Sequence, residues 1–182
     1  MHDFEEKPLK ESRVWQGRLL DVWQDEVLLP NGKTATREYI RHPGAVVIFA
    51  TTEQGEILIE RQFRYPARQS FWELPAGKLE KNEDPLKAAQ RELLEETGYA
   101  SENWQHIGKI HIAIGYSDEI IHVFTAQNVK AIANQNLDEN EFLSIHLLSP
   151  AELFNLIQTN KITDSKTLAA LAIVGFFNHL PR

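Results

Sequence analysis

Hydrophobic and polar positions alternate over much of the chain, and the alternation predicts a series of β-strands separated by turns. Residues 13–29 alternate loosely, and Pro30-Asn31-Gly32 is a strong turn signal before a second strand at 33–41. Gln54-Gly55 is a second hairpin signal. The remaining strands are predicted at 45–51, 56–62, 70–75, 105–114, 120–129 and 142–148, with a polar loop at 130–141.

Three segments carry the start and stop signals of helices instead. In the first, Asp84 suits the N-cap, Pro85 the first helical position and Gly98 the left-handed position after the last turn. Helices interleaved with strands predict an α/β (α+β) fold, in which helices cover a mixed sheet. The other two helices are predicted from a capping box at 149–152 to about 159, and from 163–164 through 177.

Composition and charge limit the class of protein. The 182 residues, 42% of them hydrophobic, predict one domain with a small N-terminal extension. The chain has no cysteine, which excludes disulfides and thiolate metal ligands. Its net charge of −7 argues against a nucleic-acid platform and would repel an anionic substrate. A phosphate-bearing ligand therefore needs bound cations or a few arginines beside it.

The sequence offers no sign of a membrane protein. The acidic N-terminus lacks the apolar core of a signal peptide, and the longest apolar run, 168–177, is too short to span a bilayer. A cytoplasmic location is expected by default, with neither a membrane nor a nucleic acid as partner.

The predicted first helix ends in carboxylates at a place where carboxylates are disfavoured. Glu92, Glu95 and Glu96 lie in its last two turns, near the negative end of the helix dipole. The three share one helix face and repel one another, at roughly 0.7 to 3 kcal/mol for a pair ~6 Å apart. Sequences that break a local rule usually do so at a functional site. A hard divalent cation such as Mg²⁺ would turn the repulsion into binding.

These carboxylates belong to a longer pattern that resembles the signature of the Nudix hydrolase family: Gly77, Glu83, Arg91-Glu92-Leu93, Glu95-Glu96, Gly98 and Tyr99. The resemblance implies an α/β/α sandwich that hydrolyses a nucleoside diphosphate linked to another group, with Mg²⁺ or Mn²⁺ as cofactor. It also implies two domains. An N-terminal β-strand subdomain over 1–42 would dimerise and help to form the nucleoside pocket, and a Nudix domain would follow over 43–182.

The resemblance also assigns the residues that hold the cation. Glu92 and Glu96, one turn apart, are the expected ligands, and the backbone carbonyl of Ala76 is expected to join them. Glu95 is expected to share a second ion. Arg91 is expected to orient the carboxylates rather than touch the substrate.

The general base is expected outside the motif. In the ADP-ribose pyrophosphatases a glutamate on a mobile loop takes the proton of the attacking water, and 137–141 is the matching stretch here. Glu139 is the position-for-position choice, with Glu141 as the runner-up and Glu95 or Glu119 next. The other interpretation is an ordinary solvated acidic loop.

Substrate contacts are implied in the same way. Arg64 matches an arginine that contacts phosphate, and the pair Arg37-Glu38 matches one that lines the nucleoside pocket. Trp15 is a candidate stacking face for the base, or else a tryptophan of the core or of a dimer interface. The residues expected to complete the site are Glu73 and Glu119.

The favoured activity is hydrolysis of ADP-ribose to AMP and ribose 5-phosphate by a homodimer. Ile114-Gly115 stands where ADP-ribose pyrophosphatases usually carry Pro-Gly, which leaves other nucleoside diphosphate sugars open, such as GDP-mannose or ADP-glucose. A hypothesis of a different class is a regulator that senses ADP-ribose without cleaving it. The intact carboxylate cluster argues against a pure sensor, because a sensor does not need it.

Overall fold

The protein is described by a computed structural model that covers residues 4–137 and 139–179. Two compact units divide the chain: Met1–Pro43 with His111–Ile120 form the first, and Gly44–Ile110 with Ile121–Arg182 form the second. The strand predicted at 105–114 ends at Ile110, since the residues from His111 onward belong to the first unit.

The first unit is built on an antiparallel sheet of four strands: β1 (Lys7–Lys10), β2 (Arg13–Gln16), β3 (Asp21–Leu28) and β4 (Thr34–Arg41). Strand β3 pairs with the other three. The single strand predicted at 13–29 is wrong, because the chain reverses direction between β2 and β3. Gly17 donates its backbone N–H to the carbonyl of Leu20 there, at 2.9 Å, and the indole of Trp15 lies where a side chain at Gly17 would be.

The strands of the second unit are β5 Ala45–Thr51, β6 Ile57–Arg64, β7 Gln69–Glu73, β8 Ala76–Lys78, β9 Tyr99–Ala100, β10 Asn103–Ile110, β11 Ile121–Gln127, β12 Lys130–Ala131 and β13 Leu143–Leu148. The unit contains a mixed sheet in the order β10-β11-β5-β6-β13, in which β11 and β5 run parallel and the other neighbours antiparallel. Strand β7 pairs with β6, β8 pairs with β5, and the short strands β9 and β12 pair with each other.

Helices cover both faces of this sheet, as the α/β/α prediction requires. The helices are α1 (Pro85–Thr97), α2 (Pro150–Gln158) and α3 (Ser165–Ile173). On one face Ala89 and Leu93 of α1 pack against Val46 and Ile48. On the other face Val47 and Ile59 pack with residues of α2 and α3. The predicted fold class is confirmed, since alternate residues of β5 and β6 feed the two hydrophobic layers.

The ends of α1 match the local sequence signals. The Asp84 carboxylate accepts hydrogen bonds from the backbone N–H groups of Leu86 and Lys87, and Gly98 caps the other end at φ 72°. Helix α3 ends earlier than predicted, because Gly175 adopts φ 76° and only a short 3₁₀ helix, Phe176–His179, follows. Over 4–137 and 139–179, no helix is both long and apolar enough to cross a membrane.

Gly98 should tolerate no side chain. A Cβ there would lie 2.2 Å from the carbonyl oxygen of Ala133, in addition to the strain of the left-handed conformation. Gly55 has a similar φ of 81°, but no atom of the described part of the chain lies within 4 Å of a Cβ built there, so it is a matched control. We expect Gly55→Ala to cost about 1 to 2 kcal/mol in the free energy of unfolding, and Gly98→Ala to cost more. Equal losses in urea denaturation would contradict the role given to the Ala133 contact.

Candidate active site

Arg91 holds together the acidic side chains at one end of helix α1. Its Nε and Nη2 donate to the two oxygens of Glu83, each at 2.9 Å. Its Nη1 donates to Glu92 at 2.8 Å and to Glu95 at 3.1 Å. The hydrogen bond from Arg91 lowers the pKa of Glu83. Arg91 thus partly offsets the repulsion between the carboxylates and fixes their positions.

Strand β8 lies directly against two of these carboxylates. The carboxyl group of Glu92 packs on Gly77 so closely that a Cβ there would lie 1.8 Å from the carboxyl carbon. The backbone N–H of Ala76 donates to Oε2 of Glu96 at 3.2 Å. The glycine of the motif is therefore needed for close approach. The predicted role of the Ala76 carbonyl stays a prediction.

Burial shifts the protonation of these groups. Glu96 is only 5% exposed, and burial, followed by the charges of Glu60 and Glu92, raises its pKa well above the usual value. Burial also raises the pKa of Glu92, although Arg91 opposes the shift. A cation placed among these oxygens would favour the ionised forms.

Glu60, which is not among the residues predicted from the sequence, contacts the carboxylate of Glu96. Glu60 lies in β6, and strand alternation places it on the same face as Leu58, which packs with helix α1. A signal was available: Glu60 directly follows Ile57-Leu58-Ile59, so a glutamate extends a run of buried apolar residues.

Glu73 is buried as well, but it has two cationic partners. Arg64 donates to both of its oxygens at 2.8 Å, and Lys166 of α3 forms an ion pair with it. Burial alone would raise the pKa of Glu73, yet Arg64 and Lys166 outweigh burial and lower it. Lys166 also pairs with Asp164, the N-cap of α3, at 2.9 Å. Arg64 and Glu73 were both predicted in the site, whereas Lys166 was not.

The loop after β12 brings a further carboxylate to the cluster. Glu141 is half-buried, its Oε1 lies 3.4 Å from the amide nitrogen of Gln62, and its charge raises the pKa of Glu60, Glu92 and Glu96. Glu139 is exposed, and no described contact brings it to these residues. Of the two loop candidates, the structure thus places the runner-up beside the motif.

The same loop is attached to the end of helix α1. The backbone N–H of Asn136 donates to the carbonyl of Glu95 at 2.8 Å, and the Gln135 side chain donates to the carbonyl of Glu96 at 2.7 Å. Ile132 donates to the carbonyl of Gly98 at 2.9 Å. These bonds satisfy carbonyl groups that a helix end leaves without partners.

Four predicted substrate residues belong to the first unit. Arg37 is paired with Glu6 at 2.8 Å, and Glu38 accepts from Gln24 at 3.0 Å. Glu119 lies 3.4 Å from Nδ1 of His42. Trp15 is 55% exposed, so it is not a core residue of this chain. The substrate-binding roles of Arg37, Glu38, Glu119 and Trp15 stay predictions.

The cluster has the chemistry of a site for a hard divalent cation. Its donors are carboxylate oxygens, which suit Mg²⁺ and Mn²⁺. Oε1 of Glu60 is buried without a hydrogen-bond partner anywhere in the described ranges of the chain, and Gly77 leaves room for the Glu92 carboxyl group. Among the residues that the structure describes, no three acidic or histidine side chains are already drawn together as a ligand set. Arg91 instead engages Glu92 and Glu95.

The chain is similar to known proteins in both sequence and fold. The NUDIX domain family matches residues 40–171. The chain is 38% identical to an ADP-ribose pyrophosphatase of Bacillus subtilis, over 94% of this chain and 93% of that protein. It is 43% identical to a methanol dehydrogenase activator of Bacillus methanolicus, over 92% and 91%. A crystal structure of an ADP compounds hydrolase shares the fold, with a TM-score of 0.83, 21% identity, and coverage of 95% of this chain and 94% of that one.

Fold and site together define a hydrolase of the α/β/α-sandwich class, with its acidic motif on the helix that follows β8. The chain belongs to the NUDIX domain family, as the sequence resemblance predicted, and is a Nudix hydrolase. Nudix hydrolases generally use divalent metal ions.

A side chain at Gly77 should disturb cation binding more than folding. In Gly77→Ala the new methyl group would force the Glu92 carboxyl group away from β8. We expect Mn²⁺ to bind at least about tenfold more weakly, measured by isothermal titration calorimetry. Gly108→Ala is the control, since a Cβ at Gly108 meets no atom of residues 4–137 or 139–179 within 4 Å. Wild-type affinity in Gly77→Ala would show that Glu92 is not held for an ion.

Proposed function

We propose that the protein hydrolyses the pyrophosphate bond of a nucleoside diphosphate sugar, with Mg²⁺ or Mn²⁺, and that ADP-ribose is its substrate. The products would be AMP and ribose 5-phosphate. The observation that carries the proposal is the packing of Glu92 and Glu96 against Gly77 and Ala76, within a complete motif. The similarity to an ADP-ribose pyrophosphatase over nearly the whole chain supports the substrate.

In this reaction a water oxygen forms a bond to one phosphorus, and the bond from that phosphorus to the bridging oxygen breaks. The departing phosphate keeps the bridging oxygen. Glu92 and Glu96 would hold the cation, Glu95 would share a second ion, and the metal would supply neutralisation of charge on the phosphates and on the attacking oxygen. Arg91 keeps these carboxylates in place. Arg64 is the residue proposed to contact phosphate, and Glu73 orients its guanidinium through two hydrogen bonds.

The proton of the attacking water needs an acceptor, and we propose Glu141 for this role ahead of Glu139. Its charge acts on Glu60, Glu92 and Glu96, whereas Glu139 is exposed. The position-for-position match to the family had favoured Glu139, which lies two residues before Glu141. A loop carries both, so an insertion or deletion can shift the register without a change in function.

Substitution of the two loop glutamates separates these assignments. Glu141→Gln should lower kcat and kcat/KM together, by a factor on the order of 10² to 10⁴, because a general base is lost. Glu139→Gln should change both constants by less than about threefold. Steady-state kinetics at saturating Mg²⁺ measures the difference. The opposite pattern would return the role to Glu139, and two active variants would place the base at Glu95 or Glu119.

Glu96 should matter for turnover and not for folding. We expect Glu96→Gln to lower kcat by about 10² or more, because a ligand of the charge-neutralising ion is lost. In metal-free buffer the same variant should melt at or above the wild-type temperature, because a buried and repelled carboxylate has been removed. Near-normal turnover, or a clearly lower metal-free melting temperature, would give Glu96 a structural role instead.

One assay tests the activity and its substrate. Purified protein is incubated with ADP-ribose, ADP-glucose, GDP-mannose and ATP, with and without Mg²⁺, and the products are separated by chromatography. AMP and ribose 5-phosphate from ADP-ribose, formed only with metal, is the expected result. Preferred cleavage of GDP-mannose or ADP-glucose would move the substrate to another nucleoside diphosphate sugar. No cleavage of any of the four would contradict the proposal.

A second candidate function is regulation of another enzyme. This possibility is favoured by the 43% identity to a methanol dehydrogenase activator, which extends over most of the chain. Addition of the protein to a purified alcohol dehydrogenase, with wild type and Glu96→Gln compared, distinguishes the two functions. Activation by both proteins would indicate a role independent of hydrolysis, whereas activation by wild type alone would make it a consequence of hydrolysis.

We also propose that the protein is a homodimer formed through the first unit. Leu9, Val14 and Trp15 of its sheet and Leu19 of the turn before β3 are exposed, and exposed apolar side chains can mark an interface between subunits. Light scattering at micromolar concentration should give twice the monomer mass. Trp15→Glu should shift the mass to that of a monomer, whereas a fully active wild-type monomer would rule out the dimer.

A further inference from the structure

Glu60 is a buried acidic residue to which the reaction described above gives no role. Its side chain is 3% exposed, and its Oε1 has no hydrogen-bond partner among the described residues. A buried charge or acceptor without a partner destabilises a protein, so a strand that could hold valine or isoleucine carries this glutamate at a cost.

The neighbouring strand shows how such a group is normally neutralised. Glu73 of β7 lies directly opposite Glu60 in the sheet, and it receives hydrogen bonds from Arg64 and an ion pair from Lys166. Glu60 feels the charge of Lys166, but its carboxyl group contacts Glu96. The two opposed glutamates therefore differ: one faces cationic side chains, and the other faces a carboxylate of the motif.

Several acidic segments converge on this point. Strand alternation directs Glu60 to the α1 side of the sheet, where Leu58 packs against that helix. The charge of Glu60 acts on Glu96, and the charge of Glu141 acts on both. Carboxylates from β6, from α1 and from the segment before β13 thus lie close enough for their charges to interact, and carboxylate oxygens are the ligands that a hard cation prefers.

We propose that Glu60 is a further ligand of the divalent cation. Its carboxylate would bind the same ion as the carboxylates of Glu92 and Glu96. This inference rests on the metal-dependent function proposed above. The cation would give Oε1 of Glu60 a partner and would relieve its contact with Glu96. The competing explanation is a neutral carboxyl group that shares a proton with Glu96 and has no part in binding the ion.

The test is binding of Mn²⁺ alone to the full chain, by isothermal titration calorimetry, in wild type, Glu60→Gln and Glu60→Val. The first variant keeps the shape and one oxygen, and the second suits a buried strand and removes both oxygens. We expect both to weaken the Kd for Mn²⁺ about tenfold or more, with Glu60→Val the weaker binder. Glu102→Gln, at an exposed glutamate of the same unit, makes the same change in net charge and should stay within twofold of wild type.

Water-proton relaxation of the Mn²⁺ complexes gives an independent measurement. If Glu60 binds the ion, its loss frees a coordination position for water, and the relaxation enhancement per bound ion should rise in Glu60→Val. Metal-free melting curves show whether the variants fold, and both should melt at or above the wild-type temperature.

Unchanged Mn²⁺ affinity in both variants would overturn the assignment, and so would a lower metal-free melting temperature in both, because Glu60 would then be a structural group. Wild-type protein that binds no Mn²⁺ would instead refute the metal-dependent function itself. The failure of one proposal is therefore distinguishable from the failure of the other.

Discussion

The burial of acidic side chains between helix α1 and the sheet is the constraint on which the rest of the second unit depends. Ala89 and Leu93 hold the helix against β5, and this packing carries Glu96 into the interior with them. The helix cannot bury Ala89 and Leu93 without Glu96, because residues three and four apart share one face. The fold itself therefore raises the electrostatic energy at the end of α1, and nearby groups must lower it.

The structure lowers this energy unevenly. Arg91 serves three carboxylates at once, and Arg64 with Lys166 neutralises Glu73. Glu60 and Glu96 receive much less compensation, and burial raises the pKa of both. Among the described residues, Arg91, Arg64 and Lys166 form ion pairs with other carboxylates, and no cationic side chain bonds Glu60 or Glu96. Such a distribution leaves Glu60 and Glu96 suited to a cation that arrives from solution.

Local signals in the sequence predicted local features well. Asp84, Pro85 and Gly98 set the ends of α1 through bonds within a few residues, so the prediction of that helix is confirmed. The turn at 17–20 was not predicted, because its main sequence signal is Gly17, and the need for glycine there comes from the packing of the Trp15 ring. Glu60 was missed for a different reason: it lies 32 residues before Glu92 in the sequence, and only its tertiary contact with Glu96 of α1 brings it to the motif. The two candidates in the loop, Glu139 and Glu141, could not be separated from sequence, since a loop has no periodic pattern that assigns side chains to one face.

The attachment of the loop to the end of α1 limits how far the loop glutamates can reach. Asn136 is bonded to the carbonyl of Glu95, and Glu141 follows five residues later. An extended chain of that length spans at most roughly 17 Å. The bond from Asn136 therefore fixes one end of this segment, and the number of residues between Asn136 and a glutamate limits how far from α1 its carboxylate can lie. In a chain with the same bond, one or two residues more or fewer in this segment would change which glutamate lies within that limit, so such loops are compared by segment length as well as by residue identity.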